Sequence, residues 1–269
     1  MKKILTLIIV TSFCLCLGYP QVVNIGDLDK ATVLNISKEL SPSYLKIIFS
    51  VENKFGKLQL DENESDFGIY ANGIKIGEAV YYDKELKEGF STLTANLSLN
   101  STNLREFWKA HISGEERSEL MERAYFVYRL DGSFLRLFHY KSGNLTTNLL
   151  PKLDRNLCNL SLNLSSRWGN VSDNETEIFY WLNVGSESEK TIFLNISIYL
   201  NDVLLSVSEN EINLTSGSNE ILFSQTLPTL ELSELLKFKN VFTWRIELKT
   251  PEKCLESFQQ SANFDLVIE

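Results

Sequence analysis

Hydrophobic positions along this chain follow two periods. Over most of its length apolar residues alternate with polar ones, the signature of half-buried strands. One stretch departs from this. Leu104, Phe107, Trp108, His111 and Ile112 fall at i, i+3, i+4, i+7 and i+8, a single stripe on a 3.6-residue period. The spacing predicts a helix over 103–113, with Asn103 as N-cap, Glu106 three residues on, and Gly114 ending it in a left-handed conformation. A helix this short is marginal alone in water, so its stripe must be covered, and the surrounding pattern offers only sheet.

Taken in order, residues 19–30 read as a connector and 31–36 and 44–51 as strands. Asn72-Gly73 is the preferred type I′ pair and predicts a hairpin over 67–79. It sets Ala71 opposite Ile74, Ile69 opposite Ile76 and Phe67 opposite Glu78, with the five apolar residues on one buried face. Residues 93–99 alternate, the helix follows, and 124–130 pairs with 134–140 across Asp131-Gly132. Residues 151–156 read as a polar linker, after which the pattern restarts. Strands are expected at 160–164 and 177–184. A second hairpin over 192–207 turns at Asn201-Asp202, with Ile196, Ile198, Leu200, Val203, Leu205 and Val207 on one face. A strand at 220–227, a short helix within 230–238 and strands at 241–248 and 264–268 complete the chain.

The two halves correspond residue by residue at one place. Ile69-Tyr70-Ala71-Asn72-Gly73 matches Ile198-Tyr199-Leu200-Asn201-Asp202, and each is followed by a polar loop, a strand and a helix. A repeat of this length implies duplicated domains rather than a solenoid. The fold class expected is mainly β: two tandem antiparallel β-sandwiches, immunoglobulin/fibronectin type III-like, the first with one packed helix and the second with a short one. The expected bounds are 1–18 for a leader, 19–152 for the first sandwich with its helix at 103–113, 153–157 for a linker and 158–269 for the divergent second.

The leader has a charged start, Lys2-Lys3, an apolar run over 4–17 and small residues near Gly18. The run is shorter than the ~20 residues a spanning helix needs. A cleaved signal peptide is favoured, with an uncleaved membrane anchor as the alternative. Either places the chain outside the cytoplasm, secreted or held at the membrane by its N-terminus. Export agrees with eleven Asn-x-Ser/Thr acceptors, at Asn35, Asn63, Asn96, Asn100, Asn144, Asn159, Asn163, Asn170, Asn174, Asn195 and Asn213. That is roughly three times the number composition alone would give. Several are expected to be glycosylated; the alternative is that Asn, Ser and Thr are simply abundant in β turns and edges.

Composition narrows the function. The 269 residues are 43% hydrophobic, enough for real cores, and carry a net charge of −9. Phosphate binding needs clustered Lys and Arg, so nucleic acid is excluded as a partner. The acidic loop at 61–66 spaces Asp61, Asn63 and Ser65 like calcium ligands, but Asp66 and Asn72 stand where such a loop needs glycine and a bidentate glutamate.

His111 and His139 are the only histidines. His111, one turn from Trp108 on the apolar stripe, is expected to be a structural residue hydrogen-bonded at the helix–sheet junction. No nucleophile elbow accompanies it and no metal-ligand cluster is present in the sequence. Glu115, Glu116 and Glu119 read as a solvated helix end. Cys158 and Cys254 are candidates for a disulfide closing most of the second domain; two reduced, buried thiols are the alternative. Phe179, Tyr180, Trp181 and Trp244 could form a carbohydrate or lipid surface, but core packing is the ordinary explanation and the one expected. No catalytic, cofactor or metal residue is assigned.

The first half resembles the group 2 late embryogenesis abundant family, the LEA_2 or WHy (water stress and hypersensitive response) domain, in its archaeal form. The residues that carry the resemblance are Ile47-Ile48-Phe49-Ser50-Val51-Glu52-Asn53, the hairpin from Ile69 to Ile76, and Phe107-Trp108-Lys109-Ala110-His111-Ile112-Ser113-Gly114-Glu115 followed by Ser118. Trp108, His111, Gly114 and Glu115 are its structural signature. The family's usual Asn-Pro is Asn53-Lys54 here, and the second half lacks the Trp-x-x-His segment. The resemblance implies a two-sheet sandwich with one helix, a stress-protective or membrane-associated role, a protein or lipid partner, and no enzymatic activity. The function expected is therefore a non-enzymatic exported stress-protection or envelope-associated binding protein. The alternative is a glycosylated structural or adhesive cell-surface spacer.

Overall fold

A computed structural model describes residues 21–26, 31–54, 56–130 and 133–268. The expected leader at 1–18 and the expected turn at Asp131-Gly132 lie outside the described residues. No described helix is long and apolar enough to cross a membrane. The protein is mainly β, built of antiparallel sheets, and separates into two units.

Among the described residues the first unit is one ten-stranded sheet. Its strands are β1 (Gln21–Gly26), β2 (Ala31–Leu40), β3 (Leu45–Asn53), β4 (Leu58–Leu60), β5 (Asp66–Ala71), β6 (Ile74–Tyr81), β7 (Glu85–Leu86), β8 (Gly89–Leu99), β9 (Arg117–Leu130) and β10 (Ser133–Thr146). The main path runs β1-β10-β9-β5-β6-β8-β3-β2, with β4 pairing β7 and β9. Phe49 on β3 and Phe126 on β9 are four ladder steps apart on this path. A flat sheet would separate them by about 19 Å at ~4.8 Å per step; their ring centroids are 5.0 Å apart. The sheet therefore rolls over on itself, and its alternating apolar rows (Leu45, Ile47, Phe49 and Val51 on β3; Leu93, Ala95 and Leu97 on β8) close one core.

The second unit is a sandwich of two four-stranded sheets. One is β11-β12-β13-β16: Leu153–Leu157, Leu160–Val171, Glu175–Ser186 and Gly217–Pro228. The other is β15-β14-β17-β18, where β14 is Lys190–Leu200, β15 Val203–Leu214, β17 Val241–Lys249 and β18 Leu255–Asn263. Among the described residues there are two helices, α1 (Ser101–Ser113) and α2 (Thr229–Leu235).

The element order of the first unit recurs in the second. The ladder β2–β3–β8 corresponds to β12–β13–β16, and β6–β5–β9–β10 to β15–β14–β17–β18, with α1 and α2 each inserted before the strand that pairs with the hairpin. The units differ at one seam. Gly77↔Leu99 through Tyr81↔Ala95 bonds β6 to β8 and joins the first unit into one sheet, whereas β15 and β16 lie in separate sheets.

The hairpins share finer detail. Asn72 (φ 49) with Gly73 (φ 79) and Asn201 (φ 49) with Asp202 (φ 67) take the left-handed backbone of type I′ turns. Each hairpin carries a bulge at its Ile-Tyr pair, Ile69/Tyr70 and Ile198/Tyr199. The bulge corrects the expected register: Ala71 faces Ile74, but Ile69 faces Gly77 and Tyr70 faces Lys75. In the second hairpin Leu205 is the extra, buried residue; Val203, before it, stays opposite Leu200 but is 45% exposed beside the turn, and Val207, after it, faces Ser197 and is 45% exposed. An extra residue in one strand flips every later side chain to the other face, and no turn residue announces it.

Other bounds also change. Residues 21–26 of the expected connector form β1, paired to β10. The expected linker is edge strand β11, with Leu153 and Leu157 buried at its ends. The last strand ends at Asn263, and Phe264 and Leu266 continue as buried non-strand residues. The units are not consecutive: Leu104–Arg117 groups with Thr146–Asp265, and the chain from Leu266 returns to the first unit. The helix expected in the first sandwich thus belongs, from Leu104 on, to the second. Periodicity shows that a stripe is buried but not which sheet buries it.

Cys158 and Cys254 are disulfide-bonded. Cys158 (φ 49) and Asn159 (φ 58) form the turn between β11 and β12, and Cys254 precedes β18. The bond ties the two sheets of the second unit across a separation of 96 residues. Replacing both cysteines by serine is expected to destabilise the second unit by about 2–5 kcal/mol, since the longer unfolded loop regains its entropy. Urea unfolding of the double variant checks this; an unchanged midpoint would count against the loop-closure account.

Candidate functional site

The segment from Asn100 to Ser118 contains the buried polar residues His111, Glu116 and Ser118. It begins with a cap. Asn100 Oδ1 accepts the Asn103 backbone N–H at 3.1 Å, so the helix starts three residues earlier than its apolar stripe and Asn100, not Asn103, is the N-cap. Asn103 donates instead to the Lys75 carbonyl at 2.7 Å. Glu106 pairs with Lys109 rather than closing a capping box.

The stripe packs within the second unit. Trp108 is fully buried, stacked on Phe242 with centroids 5.7 Å apart and edge-on to Trp168 and Phe264. Its indole Nε1–H donates to Thr176 Oγ1 at 3.0 Å, and Thr176 in turn shares a hydrogen bond with Thr229 at 2.7 Å. Phe107 and His111 both lie against Phe264.

The helix ends in a Schellman turn. The Glu116 N–H reaches the His111 carbonyl and the Glu115 N–H the Ile112 carbonyl. Gly114 is not the left-handed residue; Glu115 (φ 57) and Glu116 (φ 59) are. Glycine is required at 114 for space: a Cβ there would lie 2.9 Å from the Arg117 carbonyl oxygen and 3.1 Å from that of Ala110. Two consecutive left-handed non-glycine residues cost about 1–2 kcal/mol each. The compensation is the Glu116 side chain, only 7% exposed. Its carboxyl accepts Trp168 Nε1–H at 2.7 Å, the Thr147 hydroxyl at 2.8 Å and the Leu149 backbone N–H at 2.8 Å. The expectation of a solvated glutamate cluster is therefore corrected at Glu116, whereas Glu115 is exposed.

His111 sits inside this arrangement, fully buried, with Nε2 2.9 Å from Thr147 Oγ1. Because the Thr147 hydroxyl gives its proton to Glu116, it receives one from His111 Nε2–H, which fixes the tautomer. Burial lowers the imidazole to about 4, so it is neutral near pH 7. The order of groups is that of a lock. In a nucleophile–base–acid relay the imidazole takes the hydroxyl's proton; here the hydroxyl proton is already held by the carboxyl.

A second buried cluster escaped sequence reasoning. Glu122 on β9 and His139 on β10 are 1% and 2% exposed. Glu122 bonds Lys38 on β2, and its other oxygen lies 3.2 Å from His139 Nε2. Burial opposes the carboxylate's charge, but the His139 bond and the Lys38 charge outweigh it and hold Glu122 below the usual range. On the outer face of β5, burial likewise opposes Asp66, yet bonds from Lys75 at 2.6 Å and from Arg123 and Tyr70, both at 2.7 Å, hold it down to about 2. In the acidic loop Asp61 caps its own turn at the Asn63 and Glu64 N–H groups and pairs with Arg129, which also takes Glu64. These carboxylates face a guanidinium, an arrangement unsuited to calcium.

The remaining candidates divide. Tyr180 and Trp244 are core residues, whereas Phe179 and Trp181 are half-buried on the opposite face of β13. Asn96 and Asn195 are half-buried; the other nine acceptor asparagines are exposed.

No family model matches the chain, and no curated protein matches it significantly. Among solved structures, a protein from Archaeoglobus fulgidus aligns with 39% of this chain and 97% of its own, at 18% identity and a TM-score of 0.32. A β-glucuronidase from glycoside hydrolase family 2 aligns with 82% of this chain and 24% of its own, at 13% identity and 0.31. A β-D-mannosidase from Dictyoglomus thermophilum aligns with 80% and 29%, at 15% identity and 0.28. The chain spans about a quarter of the length of these two hydrolases. At these values the likeness carries no argument about activity, substrate or partner.

The lock makes stability depend on pH. The folded His111 pKa near 4 lies below its ordinary 6.5, so on acidification the unfolded chain binds the proton first. The contribution of the neutral ring is complete above 6.5, is lost between 6.5 and 4, and is constant below. The full loss is about 3 kcal/mol at 1.36 kcal/mol per unit. Urea unfolding across that window is expected to show the slope, and His111→Gln to flatten it. Glu116→Ala, which strands the Trp168 and Leu149 donors, is expected to cost about 3 kcal/mol or more at any pH.

Proposed function

We propose that this is an exported, non-catalytic binding protein built from two sandwiches of LEA_2/WHy type, the second divergent, acting in stress protection or at the cell envelope. The reading rests chiefly on one observation: the polar groups of the Trp108–Glu116 segment are spent on one another and on their own unit, which suits a structural signature rather than a reacting centre. The shared ladder order of the two units supports duplication of a single domain. Residues 4–17 would supply the signal or the membrane attachment, and the partner would be a protein or a lipid surface. The net charge of −9 speaks against nucleic acid.

One observation favours the alternative of a glycosylated spacer. Acceptor asparagines are exposed on both units, a distribution that would sheathe a surface rather than leave one face open. A binding screen of the mature chain against vesicles and immobilised glycans separates the readings. Retention by vesicles is the expected outcome; retention by neither would favour the spacer.

A further inference from the structure

The outer face of the β11-β12-β13-β16 sheet carries an aromatic row that no core requires. Register fixes its neighbours. Ser165 faces Trp181, Arg167 faces Phe179, and Asn163 faces Asn183. On the other side Trp181 faces Leu222 and Phe179 faces Ser224. Leu222 is 65% exposed. Gly169 lets Phe179 lie down over β12: a Cβ there would stand 2.7 Å from the ring. The Arg167 guanidinium lies over both rings, 4.8 Å from the Trp181 centroid and 5.4 Å from that of Phe179. The result is a half-buried aromatic strip partly covered by a guanidinium, with Leu222 exposed beside it and amides at one end.

One residue of that face is an acceptor for N-linked sugar. Asn163, in Asn163-Leu164-Ser165, is exposed on β12. Facing Asn183, it is the diagonal neighbour of Trp181, a spacing of roughly 7–8 Å between backbones. We propose that Asn163 is glycosylated and that the first sugars of its glycan lie on the Trp181–Leu222 strip. Pyranose rings present C–H faces that pack on an indole, while their hydroxyls take hydrogen bonds from Arg167 and Asn183. The occupant is named by the chain itself, because the attachment point and the apolar strip share one face. The inference rests on the export reading above and adds where one glycan goes.

The test uses the full chain secreted from a host that N-glycosylates, with glycopeptide mass spectrometry at each acceptor. Asn163 is expected to be occupied. Under native conditions an endoglycosidase is expected to trim its glycan about ten-fold more slowly in the wild type than in Trp181→Ala, the ratio that 1.4 kcal/mol of docking gives. Leu222→Ser, at a position already in solvent, is expected to speed trimming in the same sense and guards against a folding defect in the first variant. Equal trimming in all three proteins overturns the proposal. So does an unmodified Asn163 beside occupied Asn159 and Asn213, which leaves the export reading standing. If no acceptor is occupied, both fall.

Discussion

The carboxyl of Glu116 is the interaction on which the placement of α1 depends. It gathers a tryptophan N–H from β12 and a threonine hydroxyl and a backbone N–H from the segment that follows β10, all within the second unit. To reach them the chain must leave the helix through two left-handed glutamates, a backbone costing about 1–2 kcal/mol per residue. The cost is tolerated because a buried carboxyl with three donors is satisfied, and because removing it would leave those donors without water or partner. Trp108 and Gly114 follow from the same constraint. The indole fills the space between Phe242 and Trp168, and the glycine admits the carbonyls of Ala110 and Arg117 that the tight exit brings close.

A second constraint is repeated in both units and explains why the turn asparagines coincide. Asn72 exchanges two bonds with the Glu119 backbone, its N–H to the carbonyl and its side-chain oxygen to the N–H, each at 2.9 Å. Asn201 does the same with Val241, at 2.9 and 3.0 Å. A type I′ turn needs a left-handed residue, which asparagine tolerates, and its amide imitates one more ladder pair. The turn thus pins the strand that follows the inserted helix. Such a clamp would let the helix change length, from thirteen residues in α1 to seven in α2, without disturbing the ladder after it.

Alternation and turn chemistry made most of the long strands, both hairpin turns and the helix legible in the sequence, since each depends on residues close together in the chain. The disulfide partners were legible as a pair because the second unit contains only two cysteines. What remained hidden was set by distant residues. The bulges at Ile69/Tyr70 and Ile198/Tyr199 leave no local mark. β1 and β11 are edge strands whose pairing is decided by β10 and β12. Glu122 lies among charged neighbours in a sequence that reads Met-Glu-Arg, and only the rolled sheet brings Lys38 to it. Glu116 was hidden for a related reason: its donors come from Thr147, Leu149 and Trp168, and local propensity assigns a Gly-Glu-Glu run to solvent.

With both cores closed, the differences between the units concentrate on their outer faces. On β2-β3-β8 the row equivalent to the aromatic strip holds Ile48 opposite Ser37 and Thr94, and Ser50 opposite Asn35 and Thr92. On β5-β9 the outward groups are an ion lattice around Asp66, saturated by Lys75, Arg123 and Tyr70. Neither surface exposes the paired rings found on β13. Inner rows are held to one pattern by packing, because a single added or lost methylene is felt throughout a core. Outer rows are free of that restraint, so aromatic residues half-exposed on a sheet face call for an explanation outside packing. On β13 the Arg167 guanidinium already lies over both rings, and the glycan proposed at Asn163 would share that face with it.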